Sequence, residues 1–315
     1  MSDLGIVILN YNTRDLLRDC LRALADTRGV DAEIIVVDNA SCDESAAMMR
    51  AEFPNIRLIA SEKNGGYAYG NNLALKEFLA RPNPPRALLL LNTDTLVPPD
   101  ALRGLMDFLD AHPDAGVIGP KLVRADGSLD LACRRSFPTP EISFYRMLGL
   151  SKLFPKSRRF GRYNLTYLDE NETAQVDSVV GAAMMIRTAA LVQAGLLDED
   201  FFMYGEDLDL ALRIKQKRWN VYYYPAVQIL HYKRESSKQS KKAQMEFYRA
   251  MYIFYDKHYR ATTSFWMDWI VRGGIALKGS LALAPEIFRR REVGAICDGI
   301  HRDESPLRIN EPRAN

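Results

Sequence analysis

Near its start, the chain carries two short apolar runs rich in β-branched residues, with an amphipathic segment between them. The runs are residues 5–10 (GIVILN) and 33–38 (EIIVVD). Within residues 13–25, apolar side chains recur at helical spacing, namely Leu16, Leu17, Cys20, Leu21 and Leu24. This pattern predicts a strand, a helix and a second strand. Because a crossover helix of this kind joins parallel strands, the segment is predicted to form a βαβ unit.

The same alternation continues along the first third of the chain. Helix-like residues 42–53 precede a strand at 56–60, and helix-like residues 69–79 precede a strand at 87–91. Alternating strands and helices predict an α/β protein with a mostly parallel, doubly wound central sheet flanked by helices. With 315 residues and 47% hydrophobic content, the chain can bury the core of one large domain or of two joined halves.

Beyond residue 120 the pattern becomes less regular. Residues 129–175 predict loops and short helices, and they include Arg134, Arg135 and a basic run that either holds an anionic acceptor or is simply solvated. Strands at 178–186 and 221–224, with a helix at 206–217 between them, are predicted to return the chain to the sheet.

Polar residues follow three of the predicted strands. They are Asn10 and Asn12, Asp38 and Asn39, and Asn92 and Asp94. Ligands of doubly wound sheets bind at the carboxyl ends of the strands, so the three ends predict one binding crevice. The alternative is that these residues form turns and helix caps, a role that suits Asn39, Ser41 and Asp43.

An acidic cluster lies in residues 201–213 (FFMYGEDLDLALR), beside aromatic residues expected in the core. Neighbouring carboxylates and burial both raise the pKa of an acid, and this favours a general base. The cluster also suits the first turn of an amphipathic helix, where acids interact favourably with the helix dipole. Taken alone, the segment leaves both interpretations open.

Charge and cysteine usage exclude some classes of protein. The chain has 42 Lys and Arg against 40 Asp and Glu, which gives no general argument for nucleic-acid binding. Residues 215–242 are locally basic and form either a face for anionic groups or a solvated surface. Its four cysteines lack a disulfide or zinc spacing, and no signal-peptide pattern precedes the first strand. A cytoplasmic location is therefore expected.

Two further helices are predicted at residues 241–258 and 264–290. Arg272, Lys278 and Glu286 interrupt the second one, so it is not expected to cross a bilayer. Tryptophans near one end and Arg289, Arg290 and Arg291 at the other suit a peripheral helix on an anionic inner-membrane surface. Packing against the domain or a second subunit is the alternative, and the number of subunits is not predicted. The tail after Arg302 is expected to be disordered.

Six motifs in sequence order carry a resemblance. They are VVDNASCDES, NGGYAYGNN, LLLLNTDTLVPPD, VGAAMMIR, FFMYGEDLDLALR and a following histidine. Together they resemble a family 2 glycosyltransferase of the GT-A fold, most similar to bacterial rhamnosyltransferases that build cell-surface polysaccharides. The resemblance implies a GT-A domain over residues 1–260, with a nucleotide-sugar-binding half (1–120) and an acceptor-binding, catalytic half (121–260). Residues 261–315 would form a helical extension and tail.

The resemblance implies a divalent metal, Mg²⁺ or Mn²⁺, that neutralises the departing diphosphate. Residues 92–94 (NTD) stand where the family has Asp-x-Asp, so Asn92 occupies the first acidic position and Asp94 is the direct ligand. His231 follows the acidic motif at about the separation that the family uses, and it is implied as a second ligand. A buried structural histidine is the alternative for that position.

Donor binding is assigned to polar residues of the first half and one lysine of the second. Asp38 and Asn39 would lie beside the nucleoside, and glycines in NGGYAYGNN would permit close approach of the backbone to the diphosphate. The full predicted set is Asn10, Asn12, Asp38, Asn39, Asn64, Gly66, Asn72, Asn92, Thr93 and Lys233. The glycines would equally suit a turn.

Asp207 is implied as the general base of an inverting transfer. It would take the proton of the acceptor hydroxyl as that oxygen attacks the anomeric carbon. Glu206 would hold the acceptor or tune Asp207, whereas Asp209 and Arg213, four residues apart, are expected to form a structural ion pair.

The predicted partners are a nucleotide-diphosphate sugar, with dTDP-rhamnose as the first choice and a UDP or GDP sugar as alternatives, and a glycan or polyprenyl-diphosphate-linked acceptor. Two other classes share the sheet. A sugar-phosphate nucleotidyltransferase would carry a Gly-rich basic loop after the first strand, where this chain reads NYNTRD. A non-catalytic carbohydrate-binding protein would not need Asp94, Asp207 and His231 together.

Overall fold

The computed structural model describes residues 2–232 and 241–287, and one central β-sheet organises them. Its nine strands are β1 (Leu4–Asn10), β2 (Ala32–Asp38), β3 (Arg57–Ala60), β4 (Ala87–Asn92), β5 (Thr95–Leu96), β6 (Ala115–Val123), β7 (Ala174–Val176), β8 (Ala183–Arg187) and β9 (Asn220–His231). The strand order is β3-β2-β1-β4-β8-β6-β9-β5, and β7 pairs with β9.

Helices flank this sheet and form the C-terminal part. They are α1 (Arg14–Ala25), α2 (Ser45–Glu52), α3 (Tyr67–Leu79), α4 (Ala101–Ala111), α5 (Pro140–Met147), α6 (Leu150–Leu153), α7 (Thr188–Ala194), α8 (Glu206–Gln216), α9 (Lys241–His258) and α10 (Phe265–Ile287). Two short 3₁₀ turns lie at Leu131–Cys133 and Arg260–Thr262.

The first half of the sheet is parallel, as predicted. β1 pairs with β2 and with β4, β2 pairs with β3, and all three pairings are parallel. β1 and β4 are buried along nearly their whole length because helices cover both faces, which explains their continuous apolar runs. The predicted stripe of α1 is buried beneath it, from Leu16 to Leu24. The βαβ unit is therefore confirmed.

The second half of the sheet is mixed. β8 runs antiparallel to both β4 and β6, whereas β6 and β9 are parallel. The strand predicted at 178–186 begins only at Ala183, because the backbone of Ser178 forms a bridge with Arg135 instead of joining the sheet. The predicted boundary between residues 120 and 121 falls inside β6, so one sheet is built from both halves.

β9 is longer than the sequence pattern predicts. It continues past Tyr224 and ends at His231, which therefore lies in the strand and not after it. Pro225 cannot donate a hydrogen bond to a neighbouring strand. The register with β6 changes at this point, from Tyr224 opposite Pro120 to Gln228 opposite Lys121, and the resulting bulge accommodates the proline.

The segment between β6 and β7 consists of turns and short helices, as predicted. α5 begins with Pro140 in its first turn, and Thr139 Oγ1 accepts a hydrogen bond from the Ile142 N–H at 3.3 Å. Arg134 is buried, with its guanidinium donating to the carbonyl oxygens of Leu168 and Asp169. The expectation of a solvated or anion-binding loop is therefore wrong at Arg134.

α9 and α10 pack against each other at the C-terminal end of the described chain, and Tyr255 Oη donates to Asp268 Oδ1 at 3.0 Å between them. α10 leaves its aromatic end exposed, with Phe265 and Trp269 each at 66% and Trp266 at 77%. Among the helices of the described residues, none has the length and apolarity needed to cross a bilayer. Phe288, Arg289 to Arg291 and the tail after Arg302 lie outside the described residues.

Candidate active site

At the carboxyl ends of β1, β2 and β4, polar side chains form a chain of hydrogen bonds. Asn10 Nδ2 donates to Asp38 Oδ1 at 2.8 Å, and Asn10 Oδ1 accepts from Thr13 Oγ1 at 2.8 Å. Thr13 Oγ1 lies 2.9 Å from Thr93 Oγ1, which directly follows Asn92 at the end of β4. The three strand ends therefore meet at one edge of the sheet. Binding of a nucleotide by these residues remains a prediction.

A second polar group fixes the loop before α3. Asn39 Nδ2 donates to Asn64 Oδ1 at 2.9 Å and to the Gly66 carbonyl at 3.2 Å, while Asn64 Oδ1 accepts from the Gly66 N–H at 3.1 Å. Gly66 has φ +91°, and a Cβ at this position would lie 2.3 Å from the Phe202 carbonyl oxygen. A glycine is thus required where the loop approaches the segment before α8.

Two further residues of the predicted donor set make contacts within the protein. Asn12 Oδ1 accepts a hydrogen bond from the Cys42 N–H at 2.8 Å. Asn72 is buried; its Nδ2 donates to the Leu197 carbonyl and to Glu199 Oε1, and its Oδ1 accepts from the Leu197 N–H. These bonds tie α3 to the segment after α7. Lys233 lies outside the described residues.

The predicted metal ligands lie side by side. β5 pairs antiparallel with β9 and places Thr95 opposite His231. Asp94 directly precedes β5, and its Oδ1 lies 3.3 Å from His231 Nε2. The other ring nitrogen, Nδ1, lies 3.0 Å from Asp130 Oδ2. A carboxylate that holds the second ring nitrogen is typical of a metal-binding histidine.

This pair suits a divalent cation that keeps open coordination positions. Within residues 2–232 and 241–287, no group of three or more His, Cys, Asp or Glu side chains is arranged to hold a metal ion. Two protein ligands leave room for phosphate oxygens and water, as Mg²⁺ sites commonly do. Burial lowers the pKa of His231, but its contacts with Asp130 and Asp94 outweigh this and raise it to about 9. A cation at this site would therefore replace a proton.

The predicted base, Asp207, is buried at the start of α8. Its Oδ2 accepts from Arg135 Nη2 at 2.7 Å and from the Gly181 N–H at 3.1 Å, and its Oδ1 accepts from the Leu208 N–H at 2.7 Å. Tyr204 and Gly205 both have positive φ, which gives the turn into the helix. Arg135 thus compensates the buried charge of Asp207 and fixes its orientation.

Arg135 was predicted only as part of a basic loop that is solvated or binds an anionic acceptor, and that expectation is wrong. Its side chain is buried, and it also donates to the Val179 carbonyl at 2.8 Å. An arginine in an irregular, basic segment gives no local signal of this role. Its pairing with Asp207 depends on the bridge between Arg135 and Ser178, which only the fold brings together.

Tyr67 was not predicted as a site residue, and it is hydrogen-bonded to the acidic cluster through Gly181. Its hydroxyl donates to the Gly181 carbonyl at 2.8 Å, and the N–H of Gly181 donates to Asp207. Burial, followed by the charges of Glu206, Asp207 and Asp94, raises the Tyr67 pKa well above its usual value. The phenol therefore stays neutral beside the acidic cluster.

Glu206 is buried beside Asp207, and its Oε2 has no hydrogen-bond partner. Burial, and then the charge of Asp207, raises the pKa of Glu206 to about 8. An unpartnered buried carboxyl oxygen reduces stability. Such a group is typical of a site that is completed by a ligand.

Glu206 makes stability depend on pH. Between pH 4.5 and about 8 the folded protein holds a proton on Glu206 that the unfolded chain has lost. Stability therefore falls as pH rises through this window. Glu206→Gln should remove this contribution, so that the variant gains stability relative to the wild-type protein between pH 5 and pH 8, as measured by urea unfolding.

The matched control is Glu62→Gln, which makes the same change at an exposed position. It should leave the pH dependence of unfolding unaltered. If Glu206→Gln and the wild-type protein lost stability in parallel from pH 5 to pH 8, Glu206 would not be held protonated in the folded state.

Asp209 has a structural role, as predicted. It forms the expected ion pair with Arg213 at 2.8 Å, and α9 adds Lys257 at 2.9 Å and His258 at 2.7 Å. Burial raises the pKa of Asp209, but the hydrogen bond from His258 and the charge of Arg213 outweigh this and bring it to about 2. Asp209 thus joins α8 to the C-terminal helices.

The chain is similar in sequence to known proteins. The family model described as "Glycosyltransferase like family 2" matches residues 2–248. An N-acetylglucosaminyl-diphospho-decaprenol L-rhamnosyltransferase of Mycobacterium tuberculosis is 26% identical over 96% of this chain and 100% of its own length. The rhamnosyltransferase WbbL of Escherichia coli is 26% identical over 72% of this chain and 82% of its own length.

Among solved structures, the mannosyltransferase of Pyrobaculum calidifontis in complex with GDP-Man and Mn²⁺ is similar in fold. The match covers 92% of this chain and 76% of the mannosyltransferase chain, with a TM-score of 0.56 and 16% sequence identity.

Proposed function

The chain belongs to glycosyltransferase family 2 and has the GT-A fold, and on this premise we propose that it transfers a sugar, with inversion, from a nucleotide diphosphate to a hydroxyl group of a lipid-linked glycan. It is a glycosyltransferase. The observation that carries the finer proposal is the pairing of Asp94 with His231, whose Oδ1 and Nε2 atoms lie 3.3 Å apart.

Asp207 is proposed as the general base. Its carboxylate takes the proton of the acceptor hydroxyl while that oxygen bonds to the anomeric carbon, and the bond from this carbon to the diphosphate oxygen breaks on the opposite face. The electron pair of that bond leaves with the nucleoside diphosphate. Arg135 and the Gly181 N–H hold the carboxylate in place, and Glu206 is proposed to contact the acceptor.

Asp94 and His231 are proposed to hold the divalent cation, Mg²⁺ or Mn²⁺. When bound, such a cation neutralises charge on the departing diphosphate. The contact between His231 and Asp130 supports this role, because it fixes the ring so that Nε2 faces Asp94.

The donor is proposed to lie over residues 1–120 and the acceptor over residues 121–260, with residues 261–315 as an extension. The hydrogen-bonded strand ends support the first assignment, and the place of Asp207 and Arg135 supports the second. The donor-binding set is retained in full as proposed, namely Asn10, Asn12, Asp38, Asn39, Asn64, Gly66, Asn72, Asn92, Thr93 and Lys233.

The proposed donor is dTDP-rhamnose, with a UDP or GDP sugar as the alternative. Two relatives are named as rhamnosyltransferases, and the name of one specifies a diphospho-decaprenol carrying N-acetylglucosamine. We therefore propose a polyprenyl-diphosphate-linked glycan as the acceptor. The reaction would serve polysaccharide biosynthesis of the cell envelope.

A peripheral position on the cytoplasmic face of the inner membrane is part of this proposal. Phe265, Trp266 and Trp269 are exposed on α10, and amphipathic aromatic side chains favour the membrane interface. Cys20 and Cys133 are buried as free thiols, which agrees with a reducing compartment.

The proposed function is tested with vesicles that contain anionic phospholipid and N-acetylglucosaminyl-diphospho-polyprenol. With Mn²⁺ or Mg²⁺, dTDP-rhamnose should yield a glycosylated lipid at least about tenfold faster than UDP or GDP sugars, a discrimination expected when a site hydrogen-bonds its donor. The anomeric configuration of the product, read by NMR, should be inverted. EDTA should stop the reaction.

Two outcomes would contradict these proposals. If no sugar were transferred from any donor and none stabilised the protein against heating, the proposed reaction would be wrong. Sedimentation of the same vesicles should carry the protein into the pellet, with zwitterionic vesicles as the control. A protein that stayed in the supernatant with both kinds of vesicle would contradict the membrane position alone.

A further inference from the structure

An apolar groove runs between α5, α9 and α10. Its walls include Pro140, Phe144 and Met147 from the α5 side, Met251 from α9, and Ile270 and Val271 from α10. Among the described lining residues only Ser143 and Tyr255 have polar side chains, and both are already bonded: Ser143 Oγ to the Pro138 carbonyl at 3.2 Å, and Tyr255 Oη to Asp268. The groove therefore suits a hydrocarbon chain and offers little to a sugar.

One wall of this groove packs against α8. Pro138, which lines the groove, follows Arg135 by three residues, and Arg135 holds Asp207 at 2.7 Å. Phe254, another lining residue, packs in one apolar cluster with Leu208 of α8. The groove and α8 thus share packed side chains.

Exposed apolar side chains lie next to the residues that line the groove. Lys278 Nζ donates to the Met147 carbonyl at 2.7 Å, and a Cβ on Gly274 would lie 2.8 Å from Met147 Cε, so α10 and α5 meet closely. Leu148 and Leu153 are exposed on one side of this junction, and the aromatic end of α10 is exposed on the other. The groove is continuous with the surface proposed to face the membrane.

Residues 140–162, which begin with one wall of the groove, form a strongly basic segment. Glu141 is the one acid in this segment, and six cations are exposed there, namely Arg146, Lys152, Lys156, Arg158, Arg159 and Arg162. Such a surface attracts phosphate groups, both of lipid headgroups and of a diphosphate. An apolar groove beside a basic segment matches an amphiphile that has an apolar tail and an anionic head.

We propose that this groove binds the isoprenoid units nearest the diphosphate of the lipid-linked acceptor, an inference that rests on the proposed function. The basic segment holds the diphosphate, and the sugar beyond it reaches Asp207. The remainder of the tail continues from the exposed apolar surface into the bilayer. The enzyme thereby recognises the acceptor by its lipid as well as by its sugar.

A binding experiment tests the groove without catalysis. The 315-residue chain in EDTA is titrated with farnesyl diphosphate or with inorganic diphosphate, and heats of binding are measured. Farnesyl diphosphate should bind at least about tenfold more tightly, because its tail leaves water. Val271→Glu should remove about tenfold of this affinity and leave inorganic diphosphate binding unaltered. Val192→Glu, the same change at a position 63% exposed on α7, should alter neither.

Equal affinity for the two ligands in the wild-type protein would overturn the proposal, as would unaltered farnesyl diphosphate binding by Val271→Glu. If Val271→Glu fails to fold, Ile270→Glu takes its place, because that side chain lines the groove and is 56% exposed. Ile270→Glu must then show the same tenfold loss of affinity for farnesyl diphosphate.

Transfer assays separate this proposal from the proposed function. The wild-type protein is supplied with acceptors of identical sugar and diphosphate that carry either a long isoprenoid or a short, water-soluble alkyl chain. Val271→Glu should reduce transfer to the isoprenoid acceptor about tenfold while leaving the short-chain acceptor within about twofold. If the wild-type protein transferred sugar at equal rates to both acceptors, the groove proposal alone would be overturned. The absence of any transfer would contradict the proposed function.

Discussion

Asp207→Asn should reduce sugar transfer by about 10²- to 10⁴-fold while leaving nucleotide-diphosphate affinity within about twofold, because the base acts on the acceptor hydroxyl. Asn is close in shape to Asp and can still accept hydrogen bonds from Arg135 and from the Gly181 N–H. It cannot take a proton at neutral pH. Calorimetry with the nucleoside diphosphate and initial rates of transfer measure the two effects separately.

The same variant leaves Arg135 buried without a carboxylate partner, and breaking a buried ion pair from one side costs about 3–5 kcal/mol. Its stability must therefore be measured alongside its rate, at a temperature where the variant is fully folded. Asp200→Asn, an exposed change in the same region, is the matched control and should retain both rate and stability. Near-normal turnover by Asp207→Asn would remove Asp207 as the base.

Asp94→Ala should weaken Mn²⁺-dependent binding of the nucleoside diphosphate by at least about 10- to 100-fold. The substitution removes the carboxylate that faces His231 at 3.3 Å and leaves the imidazole as the remaining proposed ligand. In EDTA, the variant and the wild-type protein should bind the nucleotide equally. Calorimetric titrations with Mn²⁺ and with EDTA give both comparisons.

Asp100→Ala provides the matched control, since Asp100 is an exposed acid shortly after Asp94. It should leave the response to Mn²⁺ intact. The metal assignment would be wrong if the affinity of the wild-type protein for the nucleotide proved indifferent both to EDTA and to the loss of Asp94.

Local patterns in the sequence were sufficient for much of the fold. The apolar runs of β1, β2 and β4 and the stripe of α1 each determine their own secondary structure, and the parallel order follows from the crossovers. β9 was predicted too short because Pro225 is normally excluded from a strand. A bulge opposite β6 resolves the conflict, and this depends on a partner strand that the local sequence does not specify.

The candidate site was predictable only in part, for a similar reason. Asp94, His231, Glu206 and Asp207 follow from motifs, and the structure brings the first two together. Arg135 and Asp130 do not follow, because each acts through contact with a distant residue. Arg135 lies 72 positions from Asp207 and Asp130 lies 101 positions from His231. No local pattern of charge or hydrophobicity distinguishes them from ordinary loop residues.

The contacts of Asp209 bear on how this enzyme can evolve. Lys257 and His258 lie beyond residue 248, where the match to the family model ends, yet both bind a carboxylate two positions from Asp207. Changes at residues that share one buried network are not independent of each other. The C-terminal helices are therefore coupled to α8, and substitutions at Lys257 or His258 are expected to affect the position of the acidic cluster.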